Sequence, residues 1–254
     1  MSRNLIISFL FIFIASPIQA QESTDNAPIH QLLSSLVKVN TVYSKTVSGI
    51  EGHKGLVSYE RHGAGVIIDP SGIIVTNTHI IKNAPHVLVT LANGKTFEAH
   101  ILFSSSSDFS FIKIFSIHPL RAMSWANSSL AQLGEKITAV GSPENHNPNI
   151  LHGKIINLIK NKSTDETELL EMNLPLYQGD SGGPILDNKG HLLGLIMGKP
   201  KSQKHQSYAI ASNKIKREFL NRHFLKKTSH EKLRKNRNLE NINKISGKYK
   251  QNMP

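Results

Sequence analysis

The string Gly179-Asp180-Ser181-Gly182-Gly183-Pro184 holds the residue types that nucleophilic catalysis requires. A serine hydroxyl becomes an effective nucleophile when a base takes its proton. The negative charge that then develops on the substrate oxygen needs fixed donors, and two backbone N–H groups in a tight turn can supply them. Glycine at 179 permits such a turn. The string therefore predicts Ser181 as a nucleophile, with Gly179 and Ser181 forming an oxyanion hole. A glycine-rich turn between strands is the alternative.

His79 is the predicted base for this serine. It ends the string Thr76-Asn77-Thr78-His79, which directly follows the apolar run Ile73 to Val75. A histidine at the end of a buried strand can present its ring to a cleft, where neutral imidazole accepts a proton near pH 7. The other twelve histidines lie in polar or loop-like surroundings, which favour solvated side chains.

Asp108 is the predicted partner that orients the base. It lies between a run of four serines (residues 104–107) and the apolar strand that begins at Phe109. A carboxylate there can hold the histidine tautomer and stabilise the imidazolium. Asp69 is explained by the turn Asp-Pro-Ser-Gly, and Asp180 adjoins the nucleophile and is expected to be structural. The order is therefore His79, Asp108, Ser181.

The elements that must position these residues are mostly short strands. Apolar and β-branched runs separated by turn residues predict a hairpin over 65–76 and further strands, with few helices, which indicates an antiparallel sandwich or barrel. Residues 29–37 have near-helical spacing, residues 49–63 are expected to form a loop, and a helix is predicted from Asn213 to Leu225. The other predicted strands cover residues 37–43, 87–91, 97–102, 109–115, 136–140, 154–159, 185–186, 192–197 and 208–211.

Composition excludes several classes of site and indicates export. The 254 residues include no cysteine, so disulfides, thiolate catalysis and zinc–thiolate sites are excluded, and we expect neither a metal nor a cofactor. Arg3 and the apolar run Leu5 to Ala15 predict a cleaved signal peptide over 1–20. That run is too short for a membrane anchor, and no later segment is apolar enough to span a bilayer.

The basic residues are concentrated at the C-terminal end. The net charge is +12, and the last 34 residues carry ten Lys or Arg against Glu231 and Glu240. Residues 226–254 also lack the apolar residues that a core needs, which predicts a basic, mobile tail. A solvated tail that aids solubility and a segment that binds an anionic polymer or lipid both remain open as interpretations.

Several strings resemble bacterial trypsin-like proteases of the HtrA/DegP type. They are Gly63 to Asp69 with Gly72 to His79, the segment Asp108 to Ile114, the turn Gly141-Ser142-Pro143, and Ser207 to Asn213. The resemblance covers about residues 29–220. It implies an all-β chain of two six-stranded antiparallel barrels, and the order His-Asp-Ser matches that of chymotrypsin. We expect an N-terminal helix and strand segment over 21–45 and the protease domain over 46–225.

The resemblance implies an exported serine endopeptidase, periplasmic or secreted, that acts on unfolded or extended proteins. It places the residue six before the nucleophile at the base of the S1 pocket, so Pro175, Leu176 and Met197 are the predicted pocket residues, with a preference for small or medium apolar P1 side chains. A homotrimer is a further implication. Two departures are Asp180, where the family usually has Asn, and the lack of room after residue 225 for a PDZ domain. A catalytically weak, chaperone-like or binding protein remains the alternative.

Overall fold

The computed structural model describes residues 32–48, 54–141, 148–198 and 206–222. The predicted signal peptide over 1–20 and the predicted tail over 226–254 lie outside these residues. Within these residues the chain forms thirteen strands, a short helix α1 (Thr78–Ile81), a 3-10 turn (Ser128–Leu130) and a helix α2 that includes residues 212–222, and residues 32–33 are also helical. The strands are β1 (Leu36–Ser48), β2 (Lys54–Asp69), β3 (Ile73–Thr76), β4 (His86–Leu91), β5 (Thr96–Glu98), β6 (His100–Ser104), β7 (Ser110–Lys113), β8 (Lys136–Gly141), β9 (Asn149–Lys160), β10 (Thr167–Met172), β11 (Pro184–Leu186), β12 (Leu192–Gly198) and β13 (Ser207–Ala211).

The strands form two antiparallel sheets, as the two-barrel prediction requires. Strands β1 to β7 make one curled seven-stranded sheet in the order β5-β4-β1-β2-β3-β7-β6. Strands β8 to β13 close into a six-stranded barrel in the order β10-β13-β12-β11-β8-β9. The trypsin-like double-barrel class is thereby confirmed, and the first half is a seven-stranded sheet because the predicted strand 97–102 is divided at Ala99. On either side of Ala99, β5 pairs with β4, and β6 pairs with β7.

β1 shows how the sequence pattern becomes a core. Its side chains alternate, so Val37, Val39, Thr41 and Tyr43 are buried while Val42 faces solvent. β-branched residues suit this half-buried, pleated surface. The prediction of a strand over 37–43 is confirmed. The predicted helix over 29–37 is wrong at its end, because Leu36 and Val37 pair with β2 and begin β1.

Two further sequence predictions are corrected by strand pairing. Residues 54–63, predicted as part of a loop, extend β2 and pair with residues 39–48 of β1. The pairing satisfies backbone groups that a loop would leave to solvent, so it overrides the weak local signal. β10 (Thr167–Met172) was not predicted, and it completes the barrel between β9 and β13.

In the part of the chain that the structure describes, three apolar clusters hold the fold. One lies inside the first sheet around Val39, Ile74 and Ile112, and one lies inside the closed barrel around Leu170, Ile185 and Ile196. The third joins the two sheets, because Val66 and Phe111 of the first sheet pack in the same cluster as Leu195 of the barrel. The residues at the ends of β3, β7 and the 177–183 loop are therefore brought together at a packed boundary.

Candidate active site

His79 lies on a single helical turn that follows β3 directly. The helix α1 is anchored by Ile80 and Ile81, both of which are buried in the first sheet. Asn77 precedes it in an extended conformation and does not cap it. Instead the buried Asn77 amide donates its Nδ2–H to the Asp108 carbonyl at 2.9 Å. The string Thr-Asn-Thr-His therefore ties the histidine turn to Asp108.

Asp108 has a left-handed backbone with φ of 62°. A non-glycine residue adopts this conformation at a cost, and Asp and Asn tolerate it best. Its carbonyl accepts hydrogen bonds from the Asn77 side chain at 2.9 Å and from the Thr78 N–H at 3.3 Å. These bonds fix the strained peptide just before β7 and turn the carboxylate toward His79.

The Asp108 carboxylate contacts His79 twice. Oδ1 accepts from the His79 backbone N–H at 2.9 Å, and Oδ2 lies 2.8 Å from the ring Nδ1. When Nδ1 carries the ring proton, Nε2 is left as a proton acceptor. The His79 side chain is about half exposed, at 49%, so solvent and a substrate can both reach it. The structure thus brings these two predicted residues together in the arrangement of a base and its orienting acid.

Ser181 lies in a loop whose backbone is hydrogen-bonded to the first sheet. The Ser181 carbonyl accepts a hydrogen bond from the Ala64 N–H of β2 at 2.8 Å. Gly182 donates to the Ile196 carbonyl of β12 at 2.9 Å, and has a positive φ of 82°. The loop is therefore fixed between β2 of one sheet and β12 of the other.

Gly63 is a point of close approach between the serine loop and the histidine turn. A Cβ atom at Gly63 would lie 2.2 Å from Ile80 Cδ1 and 3.0 Å from the Ser181 carbonyl oxygen. The residue next to His79 and the backbone of Ser181 therefore both pack on this glycine. Only a residue without a side chain allows the two to approach so closely.

Among the described residues, two backbone N–H groups around Ser181 have no backbone acceptor. Gly179 has a φ of 97°, a conformation that favours glycine. In the described part of the chain, the backbone hydrogen bonds of this loop use the N–H groups of Asp180, Gly182 and Gly183, whereas those of Gly179 and Ser181 donate to no backbone acceptor. Both are thus available to an incoming oxygen, and the predicted oxyanion hole stays a prediction.

Asp180 is a buried carboxylate with neutral partners. Its side chain accepts from the Tyr177 N–H at 2.8 Å and from Asn149 Nδ2 at 3.3 and 3.4 Å. A Cβ at Gly141 would overlap Oδ1, so glycine there makes room for the carboxylate. Burial raises the pKa of Asp180, and the hydrogen bonds from Tyr177 and Asn149 oppose that shift. No ion pair among the described residues includes Asp180.

The three predicted pocket residues have different surroundings. Pro175 is exposed, Leu176 is buried in the barrel cluster, and Met197 packs partly buried against the cluster between the sheets. Next to Met197, a Cβ at Gly198 would lie 3.7 Å from Ser181 Oγ, so this end of β12 borders the nucleophile. The assignment of these residues to a substrate pocket stays a prediction.

A cavity of about 490 Å³ borders the histidine. It is bordered by His79, Asp108, Lys82 and the serines 104–106, and none of the predicted pocket residues lines it.

The sequence did not point to two residues that contact the site from distant positions in the chain. Asn149, which contacts Asp180, comes from β9, and Arg61, which contacts the His79 carbonyl, comes from β2. Neither has a local sequence signal. Asn77 belongs to the string that carried the prediction of His79, so the string itself pointed to it.

Among the described residues, no cluster of His, Asp or Glu is arranged to hold a metal ion, and no helix is long and apolar enough to cross a membrane.

Known proteins share this chain's central segment. Residues 63–195 match the trypsin-like peptidase domain model. The serine endoprotease DegS of Escherichia coli K12 is 29% identical over 180 residues, which cover 68% of this chain and 50% of that protein. The periplasmic serine endoprotease DegP of Salmonella typhimurium LT2 is 29% identical over 161 residues, covering 61% of this chain and 34% of DegP. The chloroplastic Protease Do-like 1 of Arabidopsis thaliana is 31% identical over 140 residues, covering 52% and 32%.

The chain spans about half the length of the DegS proteins that it matches. The matched segment includes His79, Asp108 and Ser181 together with most of both sheets. The chain belongs to the trypsin-like peptidase domain family and is homologous, over this domain, to the HtrA-type serine proteases.

Proposed function

We propose that this chain is an exported serine endopeptidase in which His79, Asp108 and Ser181 form the catalytic triad. The observation that carries the proposal is the pair of hydrogen bonds from His79 to the Asp108 carboxylate, at 2.8 and 2.9 Å. Gly63 supports it, because the His79 turn and the Ser181 backbone meet there. The homologues that are named serine endoproteases support the same reaction class.

The proposed reaction follows from the roles of these atoms. Ser181 Oγ attacks the peptide carbonyl carbon while His79 Nε2 takes the hydroxyl proton. The N–H groups of Gly179 and Ser181 donate to the negatively charged oxygen. His79 then gives its proton to the leaving amine, so the C–N bond breaks and an acyl-enzyme remains. Water, activated by the same base, hydrolyses the acyl-enzyme and restores Ser181. Asp108 stabilises the imidazolium that forms in each step.

The finer part of the proposal concerns the P1 side chain. We infer a pocket formed by Pro175, Leu176 and Met197, which offers apolar surface and no acid to pair with Arg or Lys. We therefore expect cleavage after small or medium apolar residues. A peptide library that varies P1 measures this, and a preference for Arg or Lys would contradict it.

The proposed substrates are unfolded or extended proteins met after export. This part rests on the predicted signal peptide and on the relative named as periplasmic, and it includes secretion as a second destination.

A homotrimer is proposed from the resemblance alone, and sedimentation of the mature protein tests it. Binding of residues 226–254 to an anionic polymer or lipid is tested by deleting them and measuring retention on heparin and on anionic vesicles. Unchanged retention would remove that role.

Labelling with a fluorophosphonate probe and casein hydrolysis by the mature protein test the proposed activity together. We expect both in the wild type, and we expect Ser181→Ala to abolish labelling and to reduce hydrolysis by about 10³-fold or more. Ser163→Ala is the matched control, since Ser163 is an exposed serine in a turn. A folded wild-type protein that shows neither activity would contradict the proposal and favour the chaperone-like or binding alternative.

A further inference from the structure

The short helix that carries His79 leaves its carbonyl groups without partners inside the helix. Helix α1 has only four residues, so few of its carbonyls can be satisfied within it; the Lys82 N–H donates to the Thr78 carbonyl at 2.8 Å and the Ile80 N–H to the Asn77 carbonyl at 3.3 Å. The Ile81 carbonyl is satisfied by the Ala84 N–H at 3.1 Å. The carbonyls of His79, Ile80 and Lys82 need donors from elsewhere, because buried or half-buried carbonyls without a partner are costly.

Those donors come from the hairpin of β1 and β2. Arg61 Nη1 donates to the His79 carbonyl at 2.9 Å. Tyr43 Oη lies 2.7 Å from the Lys82 carbonyl and 3.2 Å from the Ile80 carbonyl, and Thr41 Oγ1 donates to the Ile80 carbonyl at 3.1 Å. All three carbonyls are thereby satisfied by side chains from a single two-stranded element.

The hairpin residues also hold one another. The Arg61 guanidinium lies over the Tyr43 ring at 4.5 Å, and the Tyr43 ring stacks on Tyr59 with a centroid distance of 5.0 Å. Thr41 and Arg61 are paired across the two strands, as are Tyr43 and Tyr59. A guanidinium stacked on a ring keeps fewer rotamers, so its donor is directed at the His79 carbonyl before any substrate binds.

As a result, both backbone groups of His79 are held by charged side chains of opposite sign. Asp108 accepts its N–H at 2.9 Å, and Arg61 donates to its C=O at 2.9 Å. Charge-assisted hydrogen bonds are shorter and roughly twice as strong as neutral ones. The Cα–Cβ bond of the histidine is thus fixed in direction, and the Nδ1 contact with Asp108 sets the ring.

We propose that Arg61 and Tyr43 are positioning residues, which act through the carbonyls of helix α1 to keep the His79 ring in its working orientation. The inference rests on the proposed endopeptidase function for its effect on rate. Neither residue contacts the reacting atoms. Their removal lowers the rate of the chemical step, because a base displaced by a fraction of an ångström transfers a proton poorly.

Steady-state kinetics separate positioning from substrate binding. With a short peptide substrate, we expect Arg61→Gln and Tyr43→Phe each to lower kcat by about tenfold with KM within about twofold of wild type. Tyr43→Phe keeps the stacked ring and removes only the hydroxyl. Because both act on one helix, the double variant should lose less than the product of the two single losses. Arg61→Lys should recover part of kcat, since lysine can still donate to the His79 carbonyl.

Arg222→Gln is the matched control. Arg222 also lies over an aromatic ring, that of Phe103 at 3.4 Å, and donates to Glu218 at 2.7 Å, and among the described residues none of its hydrogen bonds, ion pairs or ring contacts is with helix α1. We expect its kcat to equal that of wild type. Equal losses of kcat in Arg222→Gln and Arg61→Gln, or an unchanged kcat in both Arg61→Gln and Tyr43→Phe, would overturn the proposal.

A spectroscopic measurement tests the geometry without relying on activity. In a Ser181→Ala background, the proton between His79 Nδ1 and Asp108 gives a low-field NMR signal whose exchange with water reports how firmly the ring is held. We expect faster exchange in Arg61→Gln and no change in Arg222→Gln. If the wild type proves inactive, the endopeptidase proposal fails, and this comparison still decides whether Arg61 orients the ring. Unchanged exchange in Arg61→Gln would overturn the inference.

Discussion

The two halves of the candidate site are held in different ways. Asp108 and the turn that carries His79 are fixed by directional hydrogen bonds between side chains and backbone, with donors from β1, β2 and the residue before α1. The Ser181 loop is fixed by close backbone approach at glycines and by one buried carboxylate with neutral partners. The first half therefore depends on particular polar atoms, and the second depends on the absence of side chains. Substitutions in the first half should therefore act by removing hydrogen bonds, and substitutions in the second half should act by introducing steric clashes.

Asp108→Asn should cause the largest loss, and it tests the polar half. Asparagine tolerates the left-handed backbone at this position, so the fold should survive. The amide cannot stabilise an imidazolium and can favour the wrong histidine tautomer, so we expect kcat to fall by roughly 10³–10⁴-fold. Hydrolysis of a peptide substrate measures it, and circular dichroism checks the fold. A loss below about tenfold would show that Asp108 does not orient the base.

Gly182→Ala tests the steric half. A Cβ there would lie 2.1 Å from the Ala64 carbonyl oxygen, which is backbone, and the residue has a φ of 82°. The Ala64 strand or the serine loop must move, so we expect kcat to fall by about 10²-fold and the free energy of unfolding to drop by roughly 2–4 kcal/mol.

Gly94→Ala is the matched control for this substitution. Gly94 has a φ of 81°, and a Cβ there would meet nothing within 4 Å. It shares the backbone strain and lacks the clash, so it should lose stability without losing kcat. If Gly182→Ala kept its kcat, close approach at this glycine would not be what fixes the nucleophile.

Asp180→Asn tests whether the ionised carboxylate of Asp180, in the second half, lowers the stability of the folded protein. Burial raises the pKa of Asp180 above its ordinary value of about 3.9. A carboxyl whose pKa is raised in the folded state makes its full contribution to stability at pH values below its pKa in the unfolded chain. That contribution is lost as the pH rises through its pKa in the folded state. Above that pKa, a neutral isostere avoids the cost.

We therefore expect Asp180→Asn to raise the melting temperature by about 2–4 °C at pH 8 and to leave it unchanged near pH 3.5. Thermal unfolding across this pH range measures the difference. A gap that stays constant with pH, or that grows as pH falls, would show that ionisation of Asp180 is not responsible.

Much of this site could be predicted from short local strings of the sequence. The rest depends on contacts between residues that are far apart in the chain. The strings around His79 and Ser181 could be interpreted because each combines a reactive residue with the turn residues that it needs within a few positions. The hairpin over 65–76 was predictable for the same reason. β10 was not, because Thr167–Met172 places Glu171 in a buried position, where Asn157 of β9 supplies its hydrogen bond. Arg61 and Asn149 likewise depend on partners 18 and 31 residues away.

Asn149→Ala should have the smallest effect, and it separates charge from shape in the second half. Asn149 donates to the Asp180 carboxylate at 3.3 and 3.4 Å, which is long for a hydrogen bond to a charged group, so we expect a loss of only about 0.5–1 kcal/mol in unfolding free energy at pH 8. The donor favours the ionised carboxylate, so its removal matters less as pH falls and Asp180 takes up a proton. In an Asp180→Asn background there is no charge to stabilise, and the same substitution should cost less at pH 8. Chemical denaturation of the four proteins at pH 8 and pH 4 completes this cycle. An equal cost in both backgrounds at both pH values would mean that Asn149 only fills space beside Gly141, and that the serine loop depends on shape alone.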